Sequence, residues 1–330
     1  MRTKPMDEPY CGCNKEAILS YNGKIDMDNM KVLYEYVCER NKVYIKKSLG
    51  EPFPWTDNEI IKTYSFTNLK REQDKTSKWL INNISKNDCM NKSDRFYNSM
   101  IFRMYNRIDV AEILELYKPV DENNYEKMIK KLDNMKNCYT RAFKTIGLRN
   151  GIRNMLGINN ERALPLLYIK YLKEINNGNI PSELEYSRNQ KDAYEWFLGI
   201  DGVGQFMAYQ FFVDMTYMDW FNFSENEFVV CGPGALKGLS YLFPEDCCLT
   251  PSEKIFWLRN NIDRLFLEID SKYNVFDFFK SCWCKDEDCC WNVMSLANVM
   301  CELSKYMWSY KGIGSPKRKY TPNDGCLFQD

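Results

Sequence analysis

The segment Leu198-Gly199-Ile200-Asp201-Gly202-Val203-Gly204-Gln205-Phe206-Met207-Ala208 carries the strongest architectural signal in the chain. A helical pattern over 191–198 runs into a Gly-hydrophobic-Gly turn, and a second helix starts at Gly204. Glycine tolerates positive φ and lets the backbone come close to a ligand. The start of the second helix offers N–H groups without intrahelical acceptors, at the positive end of the helix dipole. Gly202, Gly204 and Gln205 are therefore candidate anion-binding positions, suited to a phosphate. A plain helical corner with no ligand would present the same pattern.

Outward from this hairpin the chain reads as helical almost throughout. Met30, Leu33, Val37 and Tyr44 recur at helical spacing. Thr56-Asp57-Asn58-Glu59, after Pro52 and Pro54, has the form of a capping box. Residues 66–84 read as one long helix, and Ile101, Met104, Tyr105 and Ile108 mark the next. Ile255, Leu258, Ile262, Leu265 and Ile269 form one stripe; Val293, Leu296, Met300, Leu303, Met307 and Tyr310 form another. A short strand is expected at 228–230 and nowhere else. Polar connectors fall near 86–93, 176–182 and 243–251, and no repeat or low-complexity run interrupts the pattern. The expected fold is all-α, a helical body with two lobes. It divides into an N-terminal helical extension (1–49), a main helical domain (50–320) and a tail (321–330). The stretch Lys317-Arg318-Lys319, before that tail, is expected to be extended and basic.

Composition narrows the chemistry. The chain has 330 residues, enough for a sizeable core, and its 45 Lys+Arg balance 45 Asp+Glu, which excludes a uniformly basic nucleic-acid coat but not a local patch. Histidine is absent, so no triad, zinc ligand or general base can use imidazole. No apolar run reaches the ~18 residues that a membrane span needs, and the N-terminus has no apolar stretch of a secretory signal. The expected location is therefore intracellular, cytoplasmic or nuclear. The 14 cysteines then read as thiols in a reducing compartment, mostly packed as small hydrophobes. Cys11 with Cys13, and Cys282, Cys284, Cys289 and Cys290, lack zinc-ribbon spacing, so no metal and no cofactor is expected.

The hairpin, including the small Ala208 on its second helix, resembles the helix-hairpin-helix of DNA-repair enzymes, which implies a DNA-glycosylase-like architecture binding backbone phosphate. In such glycosylases a catalytic Asp follows the hairpin. Here the comparable segment is Val229-Val230-Cys231-Gly232-Pro233-Gly234, with Cys231 at the Asp position, leaving Asp214 or Asp219 as the carboxylates a glycosylase would use.

Five blocks, in order, resemble one family. They are Pro54-Trp55-Thr56-Asp57 with Phe66-Thr67-Asn68-Leu69-Lys70-Arg71-Glu72-Gln73-Asp74; Phe102-Arg103-Met104-Tyr105-Asn106-Arg107-Ile108; Gly204-Gln205-Phe206-Met207-Ala208-Tyr209-Gln210 with Asp214; Gly232-Pro233-Gly234 with Lys237-Gly238-Leu239; and Asn298, Cys301-Glu302 and Lys305-Tyr306. The family is the helical domain of the 5-hydroxymethyl-deoxyuridine DNA kinases, with the alpha-glutamyl/putrescinyl thymine pyrophosphorylases, or amino acid:DNA transferases. The resemblance implies thymine hypermodification in DNA, typical of bacteriophage. A hydroxymethyl-uracil is phosphorylated and pyrophosphorylated, and an amine or amino acid then displaces pyrophosphate. Implied partners are modified DNA, the amine co-substrate and a separate DNA-base kinase. No GxxxxGK[ST] segment occurs in these residues, which favours the transferase branch. Two departures stand out. Ser295 and Ala297 occupy positions that carry acids in the family, and Leu236 replaces a basic residue beside Lys237. A DNA glycosylase and a non-catalytic reader of modified DNA are the rival readings.

Arg71, Asp74, Arg103, Lys237 and Glu302 are the candidate catalytic residues. Arg71, Arg103 and Lys237 would stabilise the leaving group, and Asp74 or Glu302 would accept the amine proton. Asn68, Asn106, Gly232, Gly234, Asn298 and Lys305 join the three hairpin positions as candidate DNA contacts. Each has a plainer alternative. Arg71 and Asp74 would form an internal salt bridge; Asn68 would cap a helix; Arg103 and Asn106 would lie on a solvated face; Glu302 and Lys305 would be a surface pair; Gly232 and Gly234 would form an ordinary turn. Trp55, Phe206 and Tyr209 are candidates to stack on an extruded base, although aromatics at helical spacing are mostly core.

Overall fold

The computed structural model describes residues 12–119, 125–140, 160–279 and 291–320, together with 143, 150, 153, 154 and 157. Cys11, the group Cys282, Cys284, Cys289 and Cys290, and the tail 321–330 lie outside the described residues. Among the described residues every regular element is helical, as the periodicity predicts, and the sole ladder contact is an isolated antiparallel bridge between Tyr64 and Lys319. The chain divides into two compact units, Lys75–Ser224 and the pairing of Glu8–Asp74 with Glu225–Gln329.

In the first unit the Lys92–Tyr105 helix is the central element. Asn91 caps its start by accepting the Asp94 N–H, and every residue from Asp94 to Tyr105 is buried. It packs on the Leu164–Ile175 and Gln205–Met215 helices. Asn106 ends it in the left-handed region at φ 52°, a conformation that Asn adopts more easily than most L-residues. The hairpin follows its sequence reading closely: a Gln190–Leu198 helix capped by Asn189, a turn with Gly202 at φ 75°, and a Gln205–Met215 helix with Gly204 as N-cap.

In the second unit the Met27–Ser48, Pro233–Leu242 and Pro251–Ile269 helices all contact the Val293–Tyr310 helix. Asp26 caps Met27–Ser48, Asn292 caps Val293–Tyr310, and Thr250 with Glu253 forms a complete capping box on Pro251–Ile269. The two stripes predicted at 255–269 and 293–310 therefore lie within real helices. Pro233–Leu242 crosses Val293–Tyr310 so closely that a Cβ on Gly238 would overlap the Met300 carbonyl, and one on Gly234 would overlap Cys301 Sγ.

Three local expectations are corrected. Residues 66–84 are not one helix: an extended start leads to a single 3-10 turn at Arg71–Gln73, then an α-helix at Lys75–Leu80 and a π turn at Ile81–Ser85. The helical spacing is overridden by side chains that bond local backbone. Asn68 Nδ2 donates to Gln73 O at 2.9 Å, and Asp74 Oδ1 accepts the Asn68 N–H at 2.8 Å. At 56–59 no capping box forms. Asn58 is the cap, accepting from the Ile60 and Ile61 N–H groups, while Thr56 donates to Glu39 at 2.5 Å. Residues 228–230 make no strand, because no second extended segment pairs with them among the described residues. The stretch 318–320 is extended as expected and runs beside 63–65: the Ser65 N–H donates to Arg318 O and the Tyr320 N–H to Thr63 O.

Candidate functional site

In the second unit a polar cluster forms where three elements meet. The Val293–Tyr310 helix supplies Asn298, Glu302 and Lys305, which share a face at spacings of four and three. The Met27–Ser48 helix supplies Tyr36 and Arg40. The irregular 66–74 segment lies across both. Asn298 Nδ2 donates to Thr67 Oγ1 at 2.9 Å, and Glu302 Oε2 accepts the Thr67 N–H at 3.3 Å. Lys305 Nζ donates to Glu302 Oε1 at 2.5 Å. Arg40 Nε donates to Thr67 O at 2.9 Å and its Nη2 to Asn68 Oδ1 at 2.5 Å. Glu302 is buried, while Arg40, Asn68, Arg71, Asp74, Asn298 and Lys305 each keep some solvent contact. Charged groups are thus held in a fixed arrangement within reach of a ligand.

Burial pushes the Asp74 carboxyl up to about 6; the Asn68 N–H and the Arg40 and Arg71 charges oppose that rise, and Glu302 adds to it. Beside them Glu225 is pushed up to about 7 by burial and then by Glu72, against Arg71 and Lys70. Glu225 Oε2 accepts from Asn292 Nδ2 at 2.5 Å, at the head of the Val293–Tyr310 helix. Burial pulls the Lys305 ammonium down, but Glu302 outweighs it and leaves the group above its ordinary value. Arg71 influences Asp74, Glu225 and Cys301 alike, which places it among them.

Other predicted residues fall elsewhere. Gly232 is the exposed N-cap of Pro233–Leu242, and Gly234 gives room to Cys301. Lys237 is exposed, with its ammonium over the Tyr241 ring at 5.0 Å. Ser295 and Ala297 are buried. Burial pushes the Cys231 thiol well above its ordinary value, as fits a packing role. Trp55 packs against Phe53 and Tyr320, while Lys317, Arg318 and Lys319 are exposed.

In the first unit Arg103 grips Asp214 through two bonds of 2.6 Å, and its Nη1 donates to Asn106 Oδ1 at 2.8 Å. Arg103 and Asp214 are 3% and 1% exposed, so this is an interior ion pair and not a solvated face. It also occupies the carboxylate that a glycosylase would need at Asp214. Asp219 pairs with Arg95 at 3.0 Å. At the hairpin tip Gly202, Gly204, Gln205 and Phe206 are exposed while Val203 is buried. Gly204 has open space around its Cα and caps its helix without a side chain. The first N–H groups of Gln205–Met215 therefore face outward, the arrangement an anion needs. Phe206 packs on Phe143 at 5.3 Å between centroids, and Tyr209 is buried.

Residues 28–312 match the family described as 5-hmdU DNA kinase, helical domain. The chain belongs to this family. A 5-hmdU DNA kinase of Bacillus phage SP10 is 23% identical over 293 residues, which cover 83% of this chain and 44% of that protein. The chain thus spans under half the length of that relative. No solved structure matches the chain.

Within this 5-hmdU DNA kinase helical-domain fold, the structure joins Asn68, Arg71, Asp74, Asn298, Glu302 and Lys305 in one cluster, although they come from opposite ends of the sequence. Sequence reasoning missed Arg40, Glu225 and Glu72. Arg40 had a readable signal. The stripe Met30, Leu33, Val37, Tyr44 skips one turn, and Arg40 and Asn41 fill that gap, so polar side chains sit where the apolar face continues. Glu72 stands within the quoted 66–74 block but without a role assigned to it, and Glu225 had no signal, since it lies outside helical periodicity.

Proposed function

We propose that this chain acts on 5-hydroxymethyl-uracil bases in DNA, and that the cluster around Asp74 is where an amine or amino acid displaces pyrophosphate from the activated base. The half-buried cluster itself carries the reading. It combines an acid poised near neutrality with two arginines, Arg40 and Arg71, and an amide, Asn68, able to read a base edge. The base must leave the helical stack to reach such a site. The amine nitrogen then attacks the methylene carbon on the uracil ring. A C–N bond forms, the C–O bond breaks, and pyrophosphate departs with the electron pair. The ionised Asp74 takes the proton that the nitrogen sheds, a role suited to a carboxyl near 6. Arg71 offsets the charge growing on the leaving group. Glu302, held by Lys305 and the Thr67 N–H, positions the 66–74 segment. Gly202, Gly204 and Gln205 hold backbone phosphate, and Arg103 keeps its helix in place through Asp214. A separate DNA-base kinase would prepare the substrate.

Nucleoside mass spectrometry tests this. The protein is incubated with duplex DNA carrying pyrophosphorylated hydroxymethyl-uracil and a pool of amino acids and polyamines. A nucleoside that has lost pyrophosphate and gained an amine is the expected product. Unchanged nucleosides with retained binding would favour a reader, the reading to which buried Ser295 and Ala297 lend support. Abasic sites would favour a glycosylase, against which the occupied Asp214 argues.

A further inference from the structure

Two donors on the Met27–Ser48 helix meet no acceptor among the described residues: the Tyr36 hydroxyl and Arg40 Nη1. They are four residues apart, so they lie on one face, a turn from each other. Tyr36 is fully buried, with the Phe66 ring at 5.6 Å and the Tyr306 ring at 5.0 Å. The rest of the Arg40 fork is already fixed, by Thr67 O and Asn68 Oδ1. Native structures leave few buried donors without acceptors, and those that remain point to strain or to a missing partner.

The character of that partner follows from the surroundings. Two donors one turn apart suit a group with several acceptor oxygens. Arg40, Arg71 and Lys305 bring positive charge, and the last is matched by Glu302. Glu72 and Glu225 lie around Arg71, and Asp74 and Glu302 act on Arg40, so what singles out Arg40 is its orphaned Nη1 and not an excess of charge. Both orphaned donors are covered by the 66–74 segment. That segment holds one 3-10 turn, Arg71–Gln73, and is otherwise pinned by side-chain bonds, its own through Asn68 and Asp74 and those from Arg40, Asn298 and Glu302. It can therefore shift by exchanging side-chain partners without unwinding an α-helix.

We propose that Arg40, with Tyr36 beside it, is the binding site for a phosphoryl oxyanion, and that the pyrophosphoryl group of the modified base occupies it beneath the 66–74 segment. The assignment of that occupant rests on the function proposed above. The guanidinium fork, not charge alone, makes the site, since Nε and Nη2 orient Nη1.

The test uses the full chain and inorganic pyrophosphate, read by titration calorimetry and by hydrogen exchange. Wild-type protein should bind, and exchange should slow in the peptides covering 66–74. Arg40→Lys should weaken binding about tenfold, because a point charge replaces the fork, and Tyr36→Phe should weaken it less. No binding, undiminished binding in Arg40→Lys, or exchange that changes elsewhere while 66–74 is unmoved would overturn the site. Should either variant fail to fold, the wild-type exchange map decides alone. Unmodified duplex should not compete with pyrophosphate; competition would mean a backbone phosphate and overturn the assigned occupant. The amine-transfer assay is independent of this. Binding without transfer sinks the function and with it the assigned occupant, leaving the oxyanion site; transfer without binding at Arg40 sinks this site alone.

Discussion

Burial holds the Asp74 carboxyl at about 6, so it is mostly protonated at pH 5 and mostly ionised at pH 8. That one residue links turnover to stability with opposite signs. Its folded pKa lies above the unfolded value of 3.8, so the folded state holds the proton more tightly. The resulting stabilisation is complete below the unfolded value and is lost as pH rises through about 6. Glu225 acts in the same sense, with loss as pH rises from 4.5 through about 7. Asp74→Asn still accepts the Asn68 N–H but cannot ionise. At pH 8 it should be more stable than wild type by on the order of 1 kcal/mol, well below the full conversion because Asp74 touches solvent. At pH 3 the two should match. Urea melts at both pH values check this. Amine transfer by the wild type should rise with pH through about 6, while the variant should be slower by at least ~100-fold and flat over that range. Parallel pH profiles for the two proteins would remove Asp74 from the proton transfer.

Elements show where sequence reasoning reaches and where it stops. The helices at 251–269 and 293–310 were legible because their apolar stripes and caps agree, and the hairpin because its glycines fall where the chain must turn. The 66–84 reading failed because periodicity says nothing of Asn68 and Asp74 bonding local backbone. The site inherits that failure. Its members were named from short blocks, but their meeting depends on a crossing of helices that no local pattern records. A neighbouring crossing of the same Val293–Tyr310 helix, with Pro233–Leu242, is testable at Gly238. Gly238→Ala pushes a methyl into the Met300 carbonyl and should cost about 3 kcal/mol, the upper end of overpacking penalties, read as a lowered urea midpoint. Arg103 and Asp214 make the equivalent link between the Lys92–Tyr105 and Gln205–Met215 helices. Arg103→Met leaves Asp214 buried without its cation and should cost ~3–5 kcal/mol. Adding Asp214→Leu should recover most of that loss. If the double variant keeps transfer activity, the pair only supports the fold; if it folds but is inactive, the pair has a role beyond stability.

For the whole molecule, balanced charge limits how DNA can be held. With 45 basic and 45 acidic residues there is no general attraction to a polyanion, so binding must come from a few oriented contacts. Each neutralised phosphate contributes roughly −0.9 to the slope of log affinity against log salt. A protein that uses the hairpin and a few side chains should therefore show a slope no steeper than about −4. Gly204→Asp separates the hairpin from every other contact. Gly204 has φ −87° and ψ 171°, a conformation open to Asp, and a Cβ there meets nothing within 4 Å. An Asp at this N-cap bonds the same N–H groups that a phosphate would and complements the helix dipole, so stability should hold or rise by a few tenths of a kcal/mol. Its negative charge would stand where the phosphate belongs. Affinity for duplex DNA should fall about tenfold, and the salt slope should become shallower by about one contact. Lost affinity with stability intact would locate phosphate binding at this turn. Unchanged affinity would leave the hairpin as a corner of the fold and shift the search to the exposed Lys317, Arg318 and Lys319.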